Sequence, residues 1–295
     1  MANPWILAAR PKTLPAALVP VLLGTAEAAR IGEFRLVSAI LCAAFALLIQ
    51  IGTNFANDYY DFLKGADTEK RKGPTRAVAA GLIAPKTMRH ATIAIFALAF
   101  VIGMGLIPFG GWWLIIIGIL CIACGIAYTG GPFPIAYNGL GELFVMLFFG
   151  IVAVCMTYYV QAGHFSYESL YLALGCGALS TNLLVVNNVR DIDTDRQAGK
   201  ITLAARFGKR FGIYEYQGFL MVAWMAFIAI YMRTGEVYML LPCLLYPLGR
   251  IAITKLIRAN SAAEYNTTLG LTAVLLISYG ALGSVALLVG PVIAK

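Results

Sequence analysis

The chain has 295 residues, 60% of them hydrophobic and only 12% charged. A soluble domain carries about 25% charged residues, so this composition excludes an ordinary water-soluble globule. The formal net charge of +8 comes without a basic patch interleaved with stacking aromatics, which excludes nucleic acid as a partner.

The first stretch, "MANPWILAARPKTLPAALVP", does not read as a cleaved signal peptide, because its prolines and the early Arg10 and Lys12 interrupt the apolar run. No long Ser/Arg-rich transit segment follows, which points to a bacterial membrane rather than a plastid one. A run of about 20 apolar residues spans a bilayer as a helix. "LVSAILCAAFALLIQIG", "ATIAIFALAFVIGMGLI", "WWLIIIGILCIACGIAY" and "LTAVLLISYGALGSVALLVG" are such runs, and none has the polar face that a soluble helix needs. The apolar pattern predicts about nine helices, near 14–30, 36–61, 87–107, 112–129, 139–161, 168–190, 212–232, 236–257 and 268–290. The expected fold is an all-α, multi-pass membrane bundle, a single domain over 1–295 with no linker dividing it.

An odd number of spans puts the termini on opposite sides, and basic residues favour cytoplasmic loops. With the N-terminus inside, 18 of the 22 basic residues fall inside, leaving Arg30, Arg35, Arg233 and Lys295 outside. The two longest polar loops, near 62–86 and 191–211, both land on the cytoplasmic side. The positive charge is mostly topology, with anionic membrane lipid as a secondary partner. The six cysteines lie inside apolar runs. Cys121-x-x-Cys124 has no second pair or nearby histidine, so buried, inert thiols are expected.

All six aspartates lie in two places. Asp58, Asp61 and Asp67 belong to "NFANDYYDFLKGAD". Asp191, Asp193 and Asp195 belong to "NNVRDIDTDRQAGKITLAARFG". Each group sits where a predicted helix meets the cytoplasmic interface. Asn54, Asn57, Asp58 and Asp61 are spaced i, i+3, i+4, i+7 and share one helix face. Asn187, Asp191 and Asp195 form a second stripe if their helix continues, with Asp193 pointing elsewhere. Asn57 to Asp61 and Asn187 to Asp191 repeat one Asn-x-x-x-Asp spacing, a loose pairing of two half-bundles. Stacked carboxylates repel and are costly at membrane depth. A divalent cation removes both problems, and magnesium commonly bridges a carboxylate to a substrate phosphate. Asn57, Asp58, Asp61, Asp67, Asp191 and Asp195 are the candidate Mg2+ ligands.

Basic residues follow both clusters. Lys72 and Arg76 come after the first, and Arg190 and Lys200 accompany the second. Two metal-loaded acidic sites beside such cations can hold a diphosphate, and arginine suits phosphate through its planar fork. Asn54, Asn57, Asn187 and Asn188 are candidate substrate contacts on the same faces. Lys86, Arg89, Lys209 and Arg210 read as topology alone.

At these residues the chain resembles the UbiA superfamily of intramembrane aromatic prenyltransferases. The likeness rests on Asn57-Asp58-x-x-Asp61 with Asp67 in the first loop, and on Asp191-x-x-x-Asp195 in the second. Within the superfamily, "GPTRAVAAGLI", "YTGGPFPIAYNGLGE" and "NNVRDIDTDRQAGKITLA" are similar to the branch that prenylates 1,4-dihydroxy-2-naphthoate in menaquinone synthesis. The 4-hydroxybenzoate branch usually carries Tyr-Pro followed by Lys-Arg after the fourth helix, where this chain has Tyr128-Thr129-Gly130-Gly131-Pro132. The resemblance implies nine helices around a central cavity open to lipid, a polyprenyl diphosphate donor, and an aromatic acceptor that loses its carboxylate, giving demethylmenaquinone. Asp58, Asp61, Asp191 and Asp195 would serve catalysis through metal and diphosphate. Tyr128 would stabilise an allylic cation, or else be an interfacial belt tyrosine. Glu142 would orient the acceptor, or else cap a helix. Other acceptors (homogentisate or 4-hydroxybenzoate) and a divalent-cation transporter are the alternative readings.

Overall fold

The computed structural model describes residues 3–66, 73 and 75–293. Among them there are helices and turns but no strand. Asp67 and Lys72, both site candidates, lie outside the described residues.

The chain opens with α1 (Pro4–Ala9), whose N-cap Asn3 accepts from the Trp5 amide. Arg10 then adopts φ 52, a left-handed turn that ends α1. α2 (Pro15–Arg30) follows after a bend of 48°. Next come α3 (Leu36–Leu63), α4 (Pro85–Met104) and α5 (Leu114–Ala127). α6 (Gly141–Ala162) is followed by α7 (Tyr167–Arg190), which starts on a capping box between Ser166 and Ser169. The short helices α8 (Ile192–Gln197) and α9 (Leu203–Phe207) lead to α10 (Lys209–Thr234), α11 (Val237–Arg258) and α12 (Ala262–Ile293).

Seven of these helices are long and apolar enough to cross a membrane: α3, α4, α6, α7, α10, α11 and α12. The bent α1–α2 pair would make an eighth. The nine predicted spans are therefore not nine equivalent ones. α5 has 14 residues, about 21 Å of helix, short of a hydrocarbon core of about 30 Å. Glycine sets both of its limits. Gly111 at φ 89 breaks the chain just before it, and Gly131 at φ 76 turns the chain just after it. Both conformations disfavour a residue with a Cβ.

α7 is the hub. Within its apolar window 78% of residues are buried inside the protein, against 22% in α3 and in α4. It packs on α6, α10 and α12. A Cβ placed on Gly150 of α6 would fall 2.5 Å from the Ala173 carbonyl oxygen and 3.0 Å from the Gly177 Cα. That contact brings two backbones close, the way small residues join helices in lipid. The outer helices expose Val101, Ile116, Met221 and Leu244, side chains suited to a hydrocarbon surround. This is a multi-pass membrane protein.

A smaller apolar cluster positions the first acidic stretch. Ala8, Phe55, Ala77, Val78, Ile83 and Met88 pack together. They tie α1, the loop before α4, the start of α4 and the last turns of α3 into one unit.

Candidate active site

The last three turns of α3 carry Asn54, Asn57, Asp58 and Asp61, all buried. Their helical register is as predicted, but each meets a different partner. Asn54 Nδ2 donates to the Ala9 carbonyl at 2.9 Å and to Thr13 Oγ1 at 3.2 Å, fixing the α1–α2 bend against α3. Asn57 Oδ1 accepts from Thr129 Oγ1 at 2.9 Å. Asp58 accepts the Ala77 amide on Oδ2 at 3.0 Å and the Val78 amide on Oδ1 at 3.2 Å. Its carboxylate thus clamps the turn at 77–80. Asp61 Oδ2 receives Arg76 Nη2 at 2.8 Å, and Oδ1 receives the Tyr137 hydroxyl at 3.0 Å.

In the second cluster α7 ends at Arg190, and Asp191 is its C-cap at φ −98, ψ 10. The stripe therefore does not run through one unbroken helix. α8 resumes at once, and the Asp195 amide donates to the Asp191 carbonyl at 2.8 Å, which keeps the i, i+4 step. Asp195 is buried, Asp191 half-buried and Asp193 exposed. Arg190 grips Asp191 with two bonds of 2.8 and 2.7 Å and gives a third, of 2.8 Å, to Asn266 Oδ1. Lys200 Nζ stands 3.6 Å from Asp195 Oδ1. Asn187 Nδ2 turns back to the Leu183 carbonyl of its own helix at 3.0 Å. Asn188 crosses to α6 and donates to Glu142 Oε1 at 2.7 Å, leaving Glu142 Oε2 buried without a partner.

The segment between α5 and α6 joins the two clusters. Tyr137 reaches Asp61 with its hydroxyl, and its ring lies 4.6 Å from Lys64 Nζ and 5.9 Å from Lys200 Nζ. Its carbonyl accepts the Ile201 amide at 2.9 Å. Lys64 Nζ also donates to the Thr129 carbonyl at 2.6 Å, and desolvation holds this ammonium below the usual lysine range, partly offset by Asp61. The Tyr128 phenol is pushed above its ordinary range by desolvation first, then by Glu142, Asp61 and Asp195. It feels both clusters and stays neutral. The candidates from the two ends of the sequence thus meet around 128–137. Sequence reasoning missed Tyr137, Thr129 and Lys64, although the first two lie within the quoted "YTGGPFPIAYNGLGE".

Among the described residues no group of three or more His, Cys, Asp or Glu converges on a metal position. The donors available are all oxygen, which suits a hard divalent cation, and magnesium is usually held by one or two protein carboxylates together with substrate phosphates. The residues present fit such a substrate-completed site.

Tyr128 also lines an apolar cavity that encloses about 160 Å³ within a groove of about 1260 Å³, counted to its open mouth. Phe45, Phe100, Phe144, Phe148 and Met156 are among its walls, and so are Cys121 and Cys124, which are free thiols. An acidic, cation-flanked pole beside an apolar groove, inside a helical membrane bundle, defines a site for an amphiphile with an anionic head.

The chain belongs to the UbiA prenyltransferase family, whose sequence profile matches residues 17–276. It is a membrane prenyltransferase. It is 44% identical over 219 residues to the 1,4-dihydroxy-2-naphthoate octaprenyltransferase of Mycobacterium tuberculosis, covering 74% of this chain and 75% of that one. The Escherichia coli protein of the same name is 40% identical over 212 residues, covering 70% and 68%. A UbiA homolog from Archaeoglobus fulgidus, solved with DMAPP and Mg2+, superposes with a TM-score of 0.67 at 15% identity over 95% of this chain and 99% of that one. One from Aeropyrum pernix gives 0.67 at 18% identity over 92% and 95%. Both share the fold.

Proposed function

We propose that this protein transfers a polyprenyl group from polyprenyl diphosphate to 1,4-dihydroxy-2-naphthoate with loss of carbon dioxide, in a Mg2+-dependent reaction. The observation that carries the acceptor is the name shared by relatives 36–44% identical over most of the chain. The single domain spans 1–295, in a bacterial inner membrane with the N-terminus and the acidic pole cytoplasmic, as the excess of basic residues at that pole supports.

Asn57, Asp61, Asp191 and Asp195 are the residues that would hold magnesium, with Asp67 as a further candidate. When bound, the cation neutralises diphosphate charge as the C1–O bond breaks. Asp58 supports the site by fixing the turn that carries Arg76. Arg76 and Lys200 would face the diphosphate, with Lys72 a further candidate from the sequence, and Arg190 holds Asp191 in place. The electron pair of the broken bond leaves with the diphosphate. The allylic cation at C1 lies against Tyr128, whose neutral ring face stabilises it without competing as a nucleophile. An electron-rich ring carbon of the acceptor then forms the new C–C bond, and the carboxylate leaves as carbon dioxide with no net loss of a proton, since any ring proton displaced by the prenyl group takes the place of the carboxylate. The apolar groove excludes water from the cation and houses the start of the prenyl tail. Asn188 and Glu142 stand beside Tyr128, where the acceptor's hydroxyls would find an acceptor oxygen.

The test is mass analysis of products formed from one long polyprenyl diphosphate and three acids: 1,4-dihydroxy-2-naphthoate, homogentisate and 4-hydroxybenzoate. A decarboxylated, prenylated naphthalene is expected, abolished by chelation and restored by magnesium. Preference for either other acid overturns the acceptor. Divalent-metal flux in proteoliposomes without any prenyl product would overturn the reaction itself.

A further inference from the structure

Three basic side chains converge on a cavity that no step above uses. Arg250, Thr254 and Arg258 lie four residues apart along α11 and form one stripe, with Lys255 beside it. With Thr267 and Thr268 of α12 they line a cavity of about 630 Å³ between the two helices. It shares no residue with the acidic clusters.

These cations lack internal neutralisation. None of the three has a carboxylate within ion-pair distance among the described residues. Glu264 also lines the cavity, but its Oε2 accepts the Asn260 and Ser261 amides at 2.8 and 2.9 Å and serves the turn before α12. Lys209 is engaged nearby, with Nζ donating to the Ala259 carbonyl at 2.6 Å and lying 5.7 Å from the Tyr265 ring. The threonine hydroxyls donate to carbonyls of their own helices. Recognition is therefore left to the three charges. Their depth also matters. Arg250 precedes the end of α11 by eight residues, about 12 Å along the axis. A cation that far inside a spanning helix needs a counter-charge or must snorkel to water. Beside the stripe Ile251 and Ile257 are exposed, an apolar surface level with lipid chains.

We propose that this cavity is a second anion site, which seats a phosphate group between α11 and α12. Arg258 and Lys255 meet it at the helix end and Arg250 meets it from deeper in the membrane. Basic pockets between membrane helices suit phospholipid head groups, and free phosphate offers the same chemistry.

The experiment uses the full chain in neutral detergent, with phosphatidylglycerol, phosphatidylcholine and inorganic phosphate as probes. Lipid retained is read by native mass spectrometry and stability by melting temperature. The parent should retain phosphatidylglycerol over phosphatidylcholine by about tenfold and melt higher with it. The triple variant Arg250→Gln, Lys255→Gln, Arg258→Gln should lose that preference, while Arg210→Gln, outside the cavity, keeps it. Displacement of phosphatidylglycerol by millimolar phosphate, with the same melting shift, identifies free phosphate as the ligand. Retention against phosphate identifies the head group. Equal retention of both lipids by the parent with no phosphate response, or an undiminished preference in the triple variant, overturns the site. If the triple variant does not fold, the three single variants are read in the same way, and an unchanged preference in all of them overturns it.

Discussion

The Tyr137 hydroxyl donates to Asp61 Oδ1 at 3.0 Å, while the other oxygen of the same carboxylate holds Arg76 at 2.8 Å. One side chain thus ties the segment between α5 and α6 to the acidic end of α3. Through its ring it also approaches Lys64, and through its carbonyl it holds the loop after α8. A hydrogen bond to a charged group contributes about 1.5–3 kcal/mol. Tyr137→Phe keeps the ring and the carbonyl and removes the hydroxyl's bond to Asp61. We expect kcat/KM for the prenyl diphosphate to fall about tenfold or more, with the melting temperature lower by several degrees and more magnesium needed for half-maximal rate. An unaltered magnesium dependence would make Tyr137 a packing residue.

Arg76 and Asp61 are both nearly inaccessible, at 8% and 6% exposure. Removing one partner of a buried pair strands the other charge, at a cost of about 3–5 kcal/mol. Arg76→Met should therefore destabilise the fold strongly, and Asp61→Asn somewhat less because the amide keeps an acceptor for Tyr137. The double variant should recover much of the stability lost by Arg76→Met and none of the activity. Chemical denaturation in one detergent, with turnover in parallel, tests both halves. Additive stability losses would mean that the pair is not coupled.

The second cluster separates by exposure. Asp195 is buried, Asp191 is held by two bonds from Arg190, and Asp193 is exposed. Asp191→Ala and Asp195→Ala should each lower kcat by about a hundredfold or more, the scale of losing a group that acts on developing charge. Asp193→Ala should cost less than about threefold, the scale of an exposed charge. Comparable losses at all three would show that the i, i+4 facing has no functional meaning.

How much of this was legible beforehand follows from where the signal resides. The apolar periodicity located the elements well. The predicted 36–61, 168–190 and 236–257 became Leu36–Leu63, Tyr167–Arg190 and Val237–Arg258. At α5 it placed the helix within two residues at each end, 112–129 against Leu114–Ala127, but that helix is too short to count with the seven long spans. The spacing of Asn57 and Asp61 was likewise readable, since helix register is a local property. The partners were not. Asp58 is satisfied by backbone amides 19 and 20 residues away, and a backbone amide leaves no mark in composition. Tyr137 lies 76 residues from Asp61, in a stretch whose aromatic residues read equally well as an interfacial belt.

The adjacent residues Asn57 and Asp58 share one turn of helix and point to different tasks. Asn57 is neutral and takes Thr129 Oγ1 on its amide oxygen at 2.9 Å, near carboxylates that already repel one another. Asn57→Asp keeps the shape and can still accept from Thr129, but adds a negative charge where an anionic ligand must approach. We expect magnesium-dependent binding of a non-hydrolysable prenyl diphosphate analogue to weaken about tenfold, with a lower melting temperature in the absence of magnesium because the added charge is buried. Asp58→Asn should act mainly on stability. It turns one acceptor oxygen into an NH2 that faces a backbone N–H, so a buried amide loses its partner at a cost of about 1–3 kcal/mol. The 77–80 turn should loosen and the melting temperature fall, while analogue binding, measured well below that temperature, weakens less than in Asn57→Asp. Both variants are compared in one detergent at one magnesium concentration. If Asp58→Asn melts like the parent yet fails to bind the analogue, Asp58 acts on the ligand and the clamp is incidental. If Asn57→Asp binds as tightly as the parent, Asn57 lies outside the diphosphate's reach and its bond to Thr129 serves only to join α3 to the segment after α5.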